Sequence, residues 1–547
     1  QQMRSAFPIP EYMKGFPSVL REAGRYTSNN VKTDYNNGNW ETIIGASWNE
    51  NSDSAHWRKR EGDEPFFSVF NLMTSHQSRT MVWPYEQFLS EVQSKLEVHE
   101  IHDPDQAPVP PYYPDTPVVR KTLARFYDCV TAMDKEVGSI LQQLEDDSLA
   151  ENTIVFFYTD HGSGMPRHKR TLLDSGLNIP LVIRFPEKYQ HLAPSGPGTR
   201  TDRLVSFDDF GPTVLSLVDT KIPTYMEGQP FLGGAAVSPR EYTYGHRDRV
   251  DEAHDLVRSV RDQCFLYIRN YMPHIGYNQP TAWPDLGDIP HEFYALAKTE
   301  GMSAPQKHFV GPTRPLEELY DCQADPQNLY NLAHSPDYRS ELERMRRELE
   351  KRLRDSRDLG FIPEALAWKL SEGSTAYELA RFSSGNYEQS RLIEAASQVG
   401  RGSEETLLAN LTHADPGVRY WGAIGFSAAE SLSPQAIDSL TNALEDSVPN
   451  VRIESANALA RHGRIEKSIS ALAAALEYED LAAVQHAARA IELLGGKALA
   501  ALPAVAACDA RMKAIRPPGT SPVVVDPEKD GAMFVGFSTE AFLNRFS

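Results

Sequence analysis

An internal repeat of 33 residues constrains the last third of the chain more than any other feature. Valine recurs three times at this spacing, followed by arginine in the first two copies and by glutamine in the third, as Val418-Arg419, Val451-Arg452 and Val484-Gln485. Turn-forming residues precede the first two copies, and alanine-rich helical stretches follow them. A period of this length predicts helix pairs stacked into a short solenoid, because each unit can bury its apolar face only against its neighbours.

The first 220 or so residues have a different pattern, in which short apolar runs alternate with amphipathic stretches. The runs at 66–70, 153–158 and 181–185 predict buried parallel strands, and helical spacing of apolar residues predicts an amphipathic helix over 118–144. Strand, helix and strand in this order predict a right-handed crossover. The pattern therefore predicts an α/β domain with a mostly parallel sheet.

Short strands around a proline- and aromatic-rich stretch predict a smaller antiparallel α+β unit after this domain, closed by a charged helix over 338–357. The expected division places the α/β domain at 1–255, the antiparallel subdomain at 256–370, the helical repeats at 385–510 and a tail at 511–547. The tail reads as a linker-like segment whose aromatic end docks back.

The overall charge excludes one large class of partner. The 547 residues contain 55 Lys and Arg against 75 Asp and Glu, a net charge of -20, which disfavours nucleic acid. No apolar run approaches the roughly 20 residues that a membrane helix needs, so no membrane span is expected. The four cysteines lie far apart without a Cys-x-x-Cys pair, so a zinc site of ordinary spacing is not supported.

Asp160 and His161 are the strongest candidates for chemistry, because they come directly after a predicted strand. Ligands bind at the carboxyl ends of strands in open α/β sheets, and a carboxylate with an imidazole can hold a divalent cation. A turn-forming aspartate beside a surface histidine would explain the same pair. The basic loop at 164–170 follows, and its cations suit a sulfate or phosphate group.

The order of Asp160-His161-Gly162, Lys169 and Asn178-Ile179-Pro180-Leu181 resembles the sulfatase pattern of the alkaline-phosphatase-like superfamily. Segments at 20–27, 66–76, 206–215 and 318–333 resemble other sulfatase segments, so the resemblance covers about residues 1–360. Within this family, the chain is most similar to the sulfamidase, or heparan N-sulfatase, branch. The C-terminal repeats resemble HEAT repeats.

This resemblance implies a role for each candidate residue. Asp160 and His161 would hold a divalent metal ion, calcium in this family, while His76 and Lys169 would grip the sulfate and Lys32 would lie beside the nucleophile. The implied reaction is hydrolysis of a sulfuric ester or N-sulfate in a sulfated small molecule or glycan. Export to the periplasm or the exterior is typical of such relatives. Solvated surface lysines and a strand-end histidine are the structural alternatives.

Two departures from the sulfatase pattern affect this interpretation. Val31-Lys32-Thr33-Asp34-Tyr35 stands where the family has Gly-Lys-Trp-His, so Asp34 replaces the histidine. Sulfatases make their formylglycine nucleophile in a Cys/Ser-x-Pro-x-Arg motif, which these 547 residues do not contain, and the first pair of metal-binding carboxylates is also missing. We therefore expect the nucleophile upstream of this chain, and expect the chain alone to be poorly stable and nearly inactive.

Two other functions remain open at this stage. A phosphoesterase or phosphonate hydrolase of the same superfamily would use similar residues, with threonine or unmodified serine as nucleophile. An inactive scaffold would bind a protein partner through the helical repeats, and metal binding would distinguish it from an enzyme. The repeats could instead dock on the α/β domain and shape one rim of its cleft.

Overall fold

The computed structural model describes residues 5–382, 388–520 and 526–546. Residues 521–525, part of the predicted linker-like tail, lie outside the described residues. The strands are β1 (Tyr26–Asn30), β2 (Glu50–Asn51), β3 (Phe66–Phe70), β4 (Val155–Tyr158), β5 (Leu181–Arg184), β6 (Thr243–Arg247), β7 (Val257–Arg261), β8 (Phe265–Asn270) and β9 (Glu317–Asp321).

The helices divide into a first group that surrounds the sheets and a second group that forms the C-terminal array. The first group is α1 (Phe16–Glu22), α2 (Trp40–Ser47), α3 (Tyr85–Glu91), α4 (Pro117–Asp146), α5 (Asp174–Leu177), α6 (Phe210–Leu217), α7 (Asp288–Leu296), α8 (Ala304–Val310), α9 (Arg339–Ser356), α10 (Glu364–Leu370) and α11 (Ala376–Phe382). The second group is α12 (Gln389–Ser397), α13 (Glu404–Leu411), α14 (Pro416–Ser427), α15 (Pro434–Asn442), α16 (Pro449–Arg461), α17 (Ile465–Ala475), α18 (Leu481–Leu494), α19 (Leu502–Ile515) and α20 (Pro527–Phe546).

The strands of the α/β part form two separate sheets. β2, β1 and β3 pair in parallel, which confirms the parallel direction predicted for residues 66–70; β1 and β2 were not predicted. β4 and β5 pair antiparallel, with Val155 opposite Arg184 and Tyr158 opposite Leu181, so the predicted parallel direction of residues 181–185 is wrong. The residues between β4 and β5 form a loop and the short helix α5 instead of a long crossover helix, which lets the chain return antiparallel.

The long helix α4 connects the two sheets, and its predicted position is confirmed. It begins with Pro117 after the N-cap Thr116, whose hydroxyl accepts a hydrogen bond from the Val119 amide. Near its end, Leu144 and Ile140 pack in one apolar cluster with Phe66 and Phe70 of β3 and Val155 of β4. The amphipathic pattern of α4 therefore supplies a common floor beneath β3 and β4.

A large cleft, called here the interstrand cleft, lies between β3 and β4. Its volume is about 4370 Å³, and every residue of β3, β4 and β5 lines it. Among the described residues β3 pairs only with β1, and β4 pairs only with β5, so each has one unpaired edge. Tyr158 remains 40% exposed and Val182 60% exposed, so the predicted burial of these strands is not observed.

The third sheet is antiparallel, in the order β6-β7-β8-β9, and contributes to the main apolar core. Helix α9 packs on β7 and β8, and its Met345 and Leu349 are buried with Val260 and Tyr267. Residues 248–256, which connect β6 to β7 and are called here the joint segment, are largely buried although four of them are acidic. Asp255 of this segment makes a buried ion pair with Arg314.

The C-terminal helices form the predicted repeats. The three repeated valines lie in the first turns of α14, α16 and α18, and all three are fully buried. α14 packs on α16 and α16 packs on α18, as expected for a solenoid. The aromatic end of the chain forms α20, which packs against α18 and α19.

Among the described residues one helical stretch, Leu481–Ile515, is long and apolar enough by composition to cross a membrane. No such stretch was expected from the sequence. The stretch contains α18 and α19, separated by a 3-10 segment at Gly495–Ala501. Val484, Ala487 and Ile491 of α18 belong to the apolar core of the repeats. A core helix of a stacked array has this same composition.

Replacing Trp421 with alanine should lower the free energy of unfolding by about 3–5 kcal/mol, because it removes a large core side chain. Trp421 of α14 is 1% exposed, and its indole Nε1–H donates to the Phe361 carbonyl at 2.9 Å. Urea denaturation followed by circular dichroism measures the loss. Val98→Ala, at a position 88% exposed, is the matched control and should change stability by less than about 0.5 kcal/mol. Equal effects of the two variants would contradict this packing.

Candidate active site

Asp160 and His161 lie just beyond the end of β4, and both line the interstrand cleft. The Asp160 carboxylate is 69% exposed, and one of its oxygens is 3.5 Å from His161 Nε2. His161 Nδ1 is 2.5 Å from the Gly162 carbonyl. Because a carbonyl only accepts, Nδ1 carries the proton and Nε2 presents its lone pair towards Asp160.

This pair fits part of a divalent metal site. Burial, followed by the charge of Lys169, lowers the pKa of His161, so its imidazole is neutral and able to bind a metal ion at physiological pH. Calcium normally takes six to eight oxygen ligands. Within the described ranges no group of three or more His, Cys, Asp or Glu side chains could hold a metal ion. Asp160 and His161 therefore fit as two ligands of a larger set.

His76 follows β3 and faces the same cleft. Its Nδ1 accepts a hydrogen bond from the Ser78 backbone N–H at 3.3 Å, which places the imidazole proton on Nε2. Burial, together with the charges of Lys169 and Lys32, lowers the pKa of His76 to about 3. His76 is therefore a neutral hydrogen-bond donor at the cleft.

Lys32 and Lys169 lie close enough for the charge of one to act on the other. Lys32 follows β1, lines the cleft, and has its ammonium 3.6 Å from Asp34, the residue that replaces the expected histidine. Burial, followed by the charges of Arg170 and Lys32, lowers the pKa of Lys169 to about 8, while Asp160 acts in the opposite direction. All five candidate residues are thus brought together.

Most cations of the loop at 164–170 serve the fold, contrary to the expectation of a cationic cluster. Arg167 is buried and donates to the carbonyls of Gln327 and Asn328 at 3.0 and 2.6 Å. His168 lies between two hydroxyl groups, and Arg170 binds the carboxylate of Asp251. Only Lys169 of this loop contributes an ammonium that acts on His76 and His161.

Sequence reasoning missed three side chains near the site. Gln77 is buried and accepts a hydrogen bond from Arg170 at 3.2 Å, and the charge of Arg79 contributes to the lowered pKa of His76. Gln77 and Arg79 follow His76 closely in the chain, and this proximity could have identified them from the sequence. Asp251 comes from the joint segment, and no local motif in the sequence marks it.

Comparison with known proteins agrees with this arrangement. The family model described as Sulfatase matches residues 7–220. This part of the chain belongs to the sulfatase family. A second family model, described as HEAT repeats, matches residues 404–495. The resemblances to sulfatases and to HEAT repeats are both confirmed.

Two curated relatives support the same assignment. An ulvan-active sulfatase of Formosa agariphila is 38% identical over 392 residues, which cover 67% of this chain and 64% of that protein. An N-sulphoglucosamine sulphohydrolase of Homo sapiens is 29% identical over 266 residues, covering 46% of this chain and 51% of that protein. A solved 2-O GAG sulfatase aligns with a TM-score of 0.42 at 18% identity, covering 64% of this chain and 76% of that one. The chain spans less than two thirds of the length of each of these two curated relatives.

The affinity for inorganic sulfate should fall as the pH rises above about 8. Lys169, with a pKa of about 8, is charged below that pH and neutral above it, so sulfate binding must take up a proton at higher pH. Isothermal titration calorimetry between pH 6.5 and 9.5 measures this dependence. Lys169→Arg keeps its charge throughout the range and should flatten the profile. An affinity of the unmodified protein that stays constant from pH 7 to 9.5 would contradict the assignment.

Proposed function

We propose that this protein hydrolyses sulfuric ester or N-sulfate groups of a sulfated glycan. The observation that carries the proposal is that Lys32, His76, Asp160 and His161 line one cleft, while the charge of the largely buried Lys169 acts on both histidines. Two ammonium groups and a neutral imidazole donor suit the oxygens of a sulfate group. The names of the relatives, one for ulvan and one for N-sulphoglucosamine, support a glycan substrate.

Each of these side chains has a defined part in the proposed reaction. The ammonium groups of Lys32 and Lys169 neutralise charge on the sulfate oxygens and hold the sulfur in position for attack. His76 donates from Nε2 to a sulfate oxygen or to the leaving oxygen or nitrogen. Because the pKa of His76 is about 3, it acts as a hydrogen-bond donor and is not a charged imidazolium at neutral pH.

Asp160 and His161 would hold the divalent metal ion that the family resemblance implies, with calcium as the expected ion. When bound, such an ion polarises a sulfate oxygen as a Lewis acid. The Gly162 carbonyl keeps the His161 proton on Nδ1, which leaves Nε2 available as a ligand. The remaining ligands would come from water and from residues outside the described ranges.

The formylglycine nucleophile would be supplied by a segment of the same polypeptide outside these 547 residues. The absence of a Cys/Ser-x-Pro-x-Arg motif from the sequence supports this part of the proposal. The interstrand cleft supports it as well, since it reaches Lys32, His76 and Asp160 and has an unpaired strand edge on each side. An added strand could pair with either edge and bring its nucleophile beside these residues.

Alanine in place of Lys169 or His76 should lower kcat/KM on a sulfated substrate by about 10²–10³, because each removes a group that stabilises charge in the transition state. The assay should use protein purified from its natural source or expressed with all residues that precede Gln1 there. Ion chromatography of released sulfate measures turnover.

Lys467→Ala, at an exposed position in α17, is the matched control and should leave turnover unchanged. Peptide mass mapping of the same preparation should find a Cys or Ser converted to formylglycine. Turnover of the equivalent phosphate ester without turnover of the sulfate would overturn the proposed function in favour of phosphate chemistry.

Asp160→Asn should weaken calcium binding at least about tenfold, because it removes an anionic oxygen from the site. Equilibrium dialysis with radioactive calcium measures binding independently of turnover. Asp337→Asn, in the 3-10 segment before α9 and distant in sequence from the site, is the control. Full calcium affinity in the Asp160 variant would contradict the metal assignment and would leave the scaffold interpretation stronger.

A further inference from the structure

The third copy of the repeat motif carries glutamine where the first two carry arginine. Arg419 pairs with Asp446 in the following turn at 2.6 and 3.0 Å, and Arg452 donates to the Tyr478 hydroxyl at 2.9 Å. Both arginines therefore tie one repeat to the next. Gln485 of α18 makes no such contact within the described residues and instead reaches the joint segment.

Gln485 holds the joint segment with both ends of its carboxamide. Its Nε2 donates to the Glu252 carbonyl at 2.7 Å, and its Oε1 accepts a hydrogen bond from His254 Nε2. The side chain is 3% exposed. Burial lowers the pKa of His254 well below its usual value, so His254 is neutral. An arginine at this position could not accept from His254 and would bring an unpaired charge into the contact.

The joint segment also holds the loop that carries Lys169. Asp251 accepts hydrogen bonds from Arg170 Nε and Nη2 at 3.2 and 3.0 Å. Arg170 also donates to Gln77, so one guanidinium contacts both the segment and the residue that follows His76. Asp251 is thus one residue from the Glu252 carbonyl that Gln485 binds.

The backbone of this loop needs such support. Arg167 and Arg170 have φ values of 64° and 75°, in the left-handed region that long side chains rarely adopt. Arg167 is fixed by two backbone carbonyls, whereas Arg170 is fixed by Asp251 and Gln77. Lys169 lies immediately before Arg170, so the direction of its side chain depends on that anchor.

We propose that Gln485 is a positioning residue through which the HEAT array fixes the sulfate-binding loop, by holding the joint segment and hence Asp251 against Arg170. The inference rests on the proposed function, in that sulfate is taken as the group that Lys169 binds. It assigns the array a task within the catalytic unit, and the departure of Gln485 from the repeat motif follows from that task.

Gln485→Met tests the inference, because methionine has a similar length and can neither donate nor accept these two hydrogen bonds. Affinity for inorganic sulfate should fall about five- to tenfold by isothermal titration calorimetry. Hydrogen exchange of backbone amides in residues 163–172, measured by mass spectrometry, should rise at least about threefold. Arg452→Gln, the equivalent position one repeat earlier, is the control and should change neither quantity.

Asp251→Asn should produce the same two changes, and the double variant should be no worse than the single ones, because both act through Arg170. Gln485→Asn keeps a carboxamide with both a donor and an acceptor on a side chain one methylene shorter, and should recover part of the sulfate affinity. If the Gln485→Met protein fails to fold, as judged by circular dichroism, exchange in the Gln485→Asn protein decides the question.

Unchanged exchange and unchanged sulfate affinity in a folded Gln485→Met protein would overturn the inference. Another combination of results would overturn the proposed function but leave this inference standing. If the unmodified protein binds no sulfate but exchange in residues 163–172 still rises in Gln485→Met, the array positions the loop and the bound group is not sulfate.

Discussion

The pairing of buried charges along the joint segment is the interaction on which the arrangement of the whole chain depends. Asp255 binds Arg314, Asp251 binds Arg170, and Arg249 binds Glu364 of α10. Removing one partner of such a buried pair typically costs about 3–5 kcal/mol, because the remaining charge stays buried and uncompensated. The partners come from the loop that carries Lys169, from the segment between α8 and β9, and from α10. These requirements together fix how the α/β part, the antiparallel sheet region and α10 meet.

Local periodicity predicted the elements that depend on one apolar face. Helix α4 and the repeated helices follow this rule, because each buries a stripe of side chains against whatever neighbour is nearest. Strand pairing depends on partners that are distant in the sequence. The run at 181–185 has the composition of a buried parallel strand, yet it pairs antiparallel with β4 and leaves Val182 exposed. Its residues contain no signal for direction, which is set by the path of the preceding loop.

The part of the candidate site that follows the ends of strands could be predicted from the sequence. Lys32, His76 and Asp160 each follow a strand, and topology brings such residues together. The sequence did not show that Lys169 is a candidate site residue whereas Arg167 supports the fold, because both carry a positive charge. Arg167 is distinguished by its hydrogen bonds to the carbonyls of Gln327 and Asn328, about 160 residues away. Gln485 was visible as a departure from the repeat, but its meaning depends on the position of Glu252 and His254.

The lowered pKa of Lys169 connects this architecture to anion binding. Burial destabilises its charged form, and Lys32 and Arg170 add repulsion. An oxyanion placed among these groups relieves that repulsion, and its attraction to them is stronger where water is excluded. Asp251 limits the repulsion because it pairs with Arg170, and it fixes the loop through the same hydrogen bonds. In a chain with a net charge of -20, the positive character of the site is therefore local. It depends on holding a small number of cations close together, and the joint segment provides that restraint.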